Sequence, residues 1–168
     1  LWAGVLLLLI SFIWAGHAQK AGPIAQAVLS AHLVAIAFWL GSFLPLRRMC
    51  FSPESENLYK IAERFGIHAN FYICLLFISG LIFAYILIGD LSLLLSTVYG
   101  NVFLMKITFV SALLGFGAVN KFRLVPLMKL EPSIGAHRLR KSIQIEMYIA
   151  LAILSFSGFL TTSTTLPM

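Results

Sequence analysis

Histidine and sulfur-bearing side chains lie within or beside long apolar runs of this sequence. His17, His32 and Met105 offer imidazole and thioether groups, which suit copper, and soft Cu(I) in particular, better than magnesium or calcium. His68 and Cys74 add two further metal-binding side chains. Since no HxxxH, MxxxM or CxxC spacing accompanies them, the residue types predict an intramembrane site and leave its metal open.

His32 lies inside the apolar run 24–48, which ends at Arg47 and Arg48. The run holds about 23 mostly apolar residues, enough at roughly 1.5 Å per residue to cross a bilayer core of about 30 Å. It predicts a membrane-spanning helix with His32 roughly 12 Å along its axis. An ionisable side chain at that depth indicates a functional site; the alternative is a histidine that only makes a hydrogen bond between helices.

Small residues in the apolar runs predict close packing between helices. Ala27, Ala31 and Ala35 recur at spacing four, a pattern that lets a second helix approach. The glycines of the later runs predict similar contacts. Trp39 follows His32 by seven residues and so lies on the same helix face. The predicted packing positions are Trp39, Gly41, Gly80 and Gly115.

Further polar residues fall inside or at the ends of the predicted helices. Lys106 stands near the positive end of its helix dipole, which calls for a compensating group unless its ammonium reaches the outer headgroups. Glu146 lies near a helix N-terminus, where the dipole stabilises an acid without any function. Asn120 is able to bridge helices. With Tyr99, these residues form the predicted polar pathway.

The composition predicts an all-α, polytopic membrane protein. Of 168 residues, 60% are hydrophobic and 11% charged, far below the charge of a soluble domain. The net charge of +6 sits in clusters beside apolar runs, which indicates contact with membrane lipid and excludes nucleic-acid binding. Cys50 and Cys74 form no disulfide framework. We expect one transmembrane bundle over residues 1–168, with five spans at residues 1–14, 24–48, 65–89, 102–122 and 142–162.

The distribution of lysine and arginine predicts how the spans are oriented. The basic loops 47–64 and 121–141 are placed in the cytoplasm, and the C-terminus on the outer side. Because an apolar run begins at once at Leu1 rather than at Met, we expect a processed, clipped or partial chain. The outer level then holds His17, His32, Tyr99, Met105 and Lys106, the inner level holds His68, Asn120 and Glu146, and Cys74 lies between them.

An ordered series of motifs resembles the copper resistance protein D (CopD) family. The second half carries YGNVFLMK with Lys106, NKFRLVPLM with Asn120, and LRKSIQIE with Glu146. The first half agrees in Gly16-His17-Ala18 and in HLVAIAFWLG, which contains His32, Trp39 and Gly41. One departure is Lys121 after Asn120, where the family usually has arginine, and these two cations are not equivalent at a bidentate contact.

The resemblance implies an inner-membrane protein, not an enzyme, that moves copper from periplasm to cytoplasm. It also implies a small periplasmic copper-binding protein (CopC-like) as partner, and further helices before the region seen here. Lys106, Asn120 and Glu146 fall at motif positions and gain weight as functional or architectural residues. Copper, as Cu(I) or Cu(II), is then captured near His17 and His32 and passes inward toward Cys74, His68 and Glu146.

Two other interpretations remain open at this point. The first is a haem protein, cytochrome-like or a haem-dependent oxidase, that uses His32 with Lys106 or another histidine. The two axial ligands of a haem need nearly equal depth in the membrane. His32 and His68 lie roughly 18 Å and 5 Å from the cytoplasmic face, so they fit a haem poorly, whereas depth allows His32 with Lys106. The second is a structural scaffold whose polar residues hold helices together. A homo-oligomer is compatible with each of these.

Overall fold

The computed structural model describes residues 22–51, 56–88 and 98–162. Nearly all of them are helical, and they contain no strand, which confirms the all-α class. In chain order the helices are α1 (Pro23–Met49), α2 (Glu56–Ile88), α3 (Val98–Val119), a π-helical segment (Asn120–Leu124) that continues α3, α4 (Val125–Leu130) and α5 (Pro132–Thr162).

Three helices in the described part of the chain are long and apolar enough to cross a membrane, not the five predicted. They are Pro23–Met49, Leu58–Ile86 and Gly100–Leu130. The first predicted span, 1–14, lies outside the described residues. The last predicted span, 142–162, falls within α5 but is not among these three helices.

Helix α1 begins and ends almost where the sequence predicts. Gly22 precedes it with φ of 92°, a conformation that favours glycine, and Pro23 occupies its first turn. Arg47 and Arg48 lie in the last turn, where cations complement the helix dipole. The helix therefore carries its own start and stop signals.

Two charged segments predicted as loops are largely helical. Helix α2 begins at Glu56, nine residues before the predicted start, because Leu58 and Ala62 lie one turn apart and are both buried. The basic segment 121–141 likewise forms the π-helical segment, α4 and the start of α5, with its charges largely outward and Met128 and Leu139 buried. Charge in these segments marks an exposed face, not an absence of helix.

The buried core draws residues from all five helices. Trp39, Phe43 and Leu46 of α1 belong to the same buried cluster as Leu139 of α5. The α4–α5 turn is tight, because a Cβ added at Gly135 would meet Met128 backbone atoms within 3 Å. Many large apolar side chains elsewhere are exposed, as a bundle surrounded by lipid requires.

Candidate functional site

The His32 side chain reaches across the bundle from α1 to α2. Its Nδ1 lies 3.2 Å from the Leu76 carbonyl oxygen and 3.1 Å from Ser79 Oγ. Ser79 is buried, and its hydroxyl donates to the Leu75 carbonyl at 2.5 Å. The imidazole therefore faces a neighbouring helix, through contacts that link positions 44 and 47 residues apart in the chain.

These contacts favour one tautomer of the neutral His32 ring. A carbonyl oxygen only accepts hydrogen bonds, so the bond to Leu76 requires a proton on Nδ1. The Nε2 lone pair of the neutral ring then has no hydrogen-bond partner among the described residues and is able to bind a metal ion or accept a proton. In metal-binding histidines, the ring nitrogen that does not bind the metal commonly donates a hydrogen bond to a backbone carbonyl, which holds the ring in place.

Gly80 and Lys106 complete the surroundings of His32. A Cβ added at Gly80 would lie 3.1 Å from His32 Cε1, so the glycine permits the close approach of the ring to α2. Lys106 of α3 lies within electrostatic range of His32. We call His32, Ser79, Gly80 and Lys106 the histidine cluster. It brings one predicted metal ligand, one predicted pathway residue and one predicted packing glycine together on three helices.

A second polar group lies between the π-helical segment and α5. Asn120 Nδ2 donates a hydrogen bond to Glu146 Oε1, and Glu146 is 2% exposed. The Asn120 Oδ1 atom is buried and has no hydrogen-bond partner among the described residues. The Val125 N–H bonds to the Asn120 carbonyl five residues back, which makes the helix locally π-helical. Such distortions occur frequently at functional sites.

A cavity of about 70 Å³ adjoins this pair. Asn120, Glu146, Asn70 and Lys121 are its polar lining residues, and the remaining wall is mostly apolar. The Lys121 ammonium donates to Asn70 Oδ1 at 2.7 Å, so the lysine that replaces the expected arginine has one amide partner here. The cavity has room for a few water molecules beside two hydrogen-bonding side chains. We call Asn120, Glu146 and this cavity the carboxylate cavity.

Trp39 connects the two polar groups along α1. It is buried, lines the carboxylate cavity and would contact a Cβ added at Gly117 at 3.4 Å. His32 lies seven residues earlier on the same helix face, roughly 10 Å away along the axis. The histidine cluster and the carboxylate cavity thus occupy two levels of one bundle.

Three other predicted site residues are exposed. Met105 is 50% exposed, and Cys74 is an exposed free thiol. His68 is also exposed, and its Nδ1 is 2.8 Å from the Arg64 carbonyl of its own helix. His17 and the side chain of Tyr99 lie outside what the structure describes. Within the described ranges, no three or more His, Cys, Asp or Glu side chains are grouped so as to hold a metal ion.

The remaining packing predictions have different surroundings. Gly41 and Gly115 are exposed, and a Cβ at either would meet no described atom within 4 Å. The sequence did not identify Ser79 as a partner of His32 or Asn70 as a partner of Lys121. Ser79 stands beside Gly80, and a hydroxyl next to a predicted close approach was the one available signal. Asn70 had none beyond its polarity in an apolar run.

Comparison with known proteins identifies the family. A model of the family described as Copper resistance protein D matches residues 59–160, more than half of the chain, and this region includes Lys106, Asn120 and Glu146. His32 precedes the matched region. No curated protein and no solved structure matches the chain. The chain belongs to the copper resistance protein D family.

Proposed function

We propose that this protein transports copper across the bacterial inner membrane, from periplasm to cytoplasm, and contributes to copper homeostasis or resistance. In this proposal copper is the transported substrate, as Cu(I) or Cu(II), and the protein is not an enzyme. The observation that carries it is the His32 ring, held through Nδ1 by α2 and without a described partner at Nε2, in a chain of the copper resistance family.

The His32 contacts support a site of moderate affinity. One imidazole supplies a single nitrogen ligand, so a captured ion needs further donors, and the predicted outer residues His17, Met105 and Tyr99 are the candidates. A transport site must also release its ion, which favours several weak sites over one strong one. Lys106 near His32 adds positive charge that opposes long residence of a cation.

We propose that the carboxylate cavity is the second site on the transport path, on the cytoplasmic side of the histidine cluster. Glu146 and Asn120 offer oxygen atoms, which are poor ligands for Cu(I), so we assign them to compensating the charge of a passing ion. The exposed His68 and Cys74 have no described contact with the cavity, so a route through them requires a second copy, further helices of the chain or a partner.

Orientation and partner follow from the same proposal. Residues 47–64 and 121–141 carry most of the basic side chains and face the cytoplasm, so the histidine cluster lies toward the periplasm. A small periplasmic copper-binding protein delivers the ion at that side. No described contact favours haem, whose ligands would have to include His32.

The test compares His32→Ala with His137→Ala, a matched change of an exposed histidine on α5. We expect His32→Ala to lower cellular copper uptake and copper bound per purified protein by about tenfold, a loss of roughly 1.4 kcal/mol of binding free energy, and His137→Ala to change neither. Equal copper uptake and binding in both variants would contradict the proposal. A Soret band in the spectrum of the purified protein would favour haem instead.

A further inference from the structure

Two arginines from different helices meet beside one aromatic ring at the basic end of the bundle. The Arg140 guanidinium of α5 lies 4.6 Å from the centroid of the Phe51 ring, and that of Arg47 in the last turn of α1 lies 5.9 Å from it. Both distances are within the range of cation–π contacts. The fold therefore brings two permanent positive charges, those of Arg47 and Arg140, to one exposed aromatic ring.

The described residues do not neutralise this pair. Among the side chains that the structure describes, neither guanidinium forms an ion pair, and the buried Arg47 Nε has no hydrogen-bond acceptor. The nearby Cys50 thiol is not a counter-ion, because burial raises its pKa to about 11 although Arg140 and Arg47 lower it. A buried guanidinium N–H without an acceptor is unfavourable, and no described side chain supplies an anion to this pair.

The position of Phe51 indicates which anion fits. The ring is 60% exposed and follows directly on the membrane-spanning α1, at the level where aromatic side chains meet lipid headgroups. A guanidinium pairs with phosphate through two parallel hydrogen bonds, and an apolar ring beside it suits the fatty part of a lipid. Zwitterionic lipids carry an ammonium group that two arginines repel.

We propose that Arg47, Phe51 and Arg140 form a binding site for the headgroup of an anionic phospholipid. The arginines bind the phosphate, and Phe51 contacts the adjoining glycerol and acyl region. The site joins the end of α1 to α5 and does not depend on copper transport. A general excess of cytoplasmic positive charge would attract anionic lipid equally to every arginine, so a charge-matched control separates the two explanations.

The experiment measures lipids retained by the purified full chain in native mass spectrometry, with phosphatidylglycerol and phosphatidylcholine of equal acyl length. The site variant carries Arg47→Gln and Arg140→Gln. The control variant carries Arg48→Gln and Arg138→Gln, which removes two exposed arginines from the same two helices. We expect the site variant to lose about tenfold in phosphatidylglycerol affinity, as one lost charge-assisted contact implies, and the control less than twofold.

Three outcomes would overturn the proposal. They are equal losses in the two variants, equal retention of phosphatidylcholine and phosphatidylglycerol by the wild type, and displacement of the lipid by millimolar inorganic phosphate, which would make free phosphate the ligand. If the site variant fails to fold, Arg47→Lys with Arg140→Lys keeps the charge. That variant should retain phosphatidylglycerol less well than the wild type, because lysine lacks the paired donors, and unchanged retention would likewise contradict the site.

Discussion

The histidine cluster and the carboxylate cavity satisfy their polar groups in opposite ways. His32 is anchored by the Leu76 carbonyl and Ser79, and Ser79 is itself bonded to its own helix. Glu146 instead depends on the Asn120 side chain, and Asn120 keeps an unpaired oxygen among the described residues. A backbone carbonyl remains in place when side chains change, so we expect the first site to tolerate substitution and the second to behave as a mutually dependent pair.

The largest expected effect is that of Asn120→Leu. The substitution removes the donor to a carboxyl group that is 2% exposed, so the free energy of unfolding should fall by about 3 kcal/mol, the upper range for a lost hydrogen bond to a charged group. Asn70→Leu is the matched control, because its amide bonds Lys121 in an exposed position and should cost less than about 1 kcal/mol. Unfolding in mild detergent measures both.

A double variant tests whether the Asn120–Glu146 pair is mutually dependent. Adding Glu146→Leu to Asn120→Leu removes both polar partners, and replacing both by apolar groups is often nearly neutral. The double variant should therefore be more stable than Asn120→Leu alone. Strictly additive losses in a double-mutant cycle would show that the two side chains act independently.

A smaller effect is expected from Gly80→Ala in the histidine cluster. The new Cβ would lie 3.1 Å from His32 Cε1, so the ring must shift by a few tenths of an ångström, whereas a Cβ at Gly41 meets no described atom within 4 Å. Alanine also favours helix at both positions, so the comparison cancels this gain. Gly80→Ala should be about 1 kcal/mol less stable than Gly41→Ala.

The NMR resonances of the His32 ring nitrogens measure the structural effect of the two glycine substitutions. They should move in Gly80→Ala and stay in place in Gly41→Ala, since the first glycine alone adjoins the imidazole. Equal stability of the two variants with unchanged His32 resonances would mean that the close approach at Gly80 does not position the ring.

Sequence reasoning predicts the helices whose limits are written in local signals. Gly22, Pro23 and the arginines Arg47 and Arg48 fix α1 within about a residue of its observed ends. It places the start of α2 too late, because average polarity hides the alternation that buries Leu58 and Ala62 on one face. The composition of a segment gives its average polarity, whereas the burial of a residue depends on which face of the helix it occupies.

In the candidate site, too, the sequence identifies some residues and not the partners that they contact. Polar residues within apolar runs, such as His32 and Glu146, stand out because hydrocarbon cannot satisfy them. Their partners do not, since the contact of His32 with Leu76 depends on how α1 and α2 pack across 44 residues. No local pattern encodes that register, and the carbonyl involved belongs to every residue type.

A further expected effect concerns the Cys50 thiol, which reports whether the basic end of the bundle is closed. Cys50 is buried in the same core as Trp39 and Leu139, both of which line the carboxylate cavity, and its pKa is raised to about 11. Because only the thiolate reacts, alkylation of Cys50 in Cys74→Ser protein should be slow at pH 8 and rise about tenfold per pH unit toward pH 11.

The sign of the linked stability follows from the raised pKa. The folded protein holds the Cys50 proton more tightly than the unfolded chain, so the stabilisation is complete below the ordinary thiol pKa and is lost as pH rises toward about 11. Denatured protein is the control and should react at the ordinary rate. A native rate at pH 8 equal to the denatured rate would mean that water reaches Cys50 freely. The contrast between a closed basic end of the bundle and the partly exposed His32 would then fail.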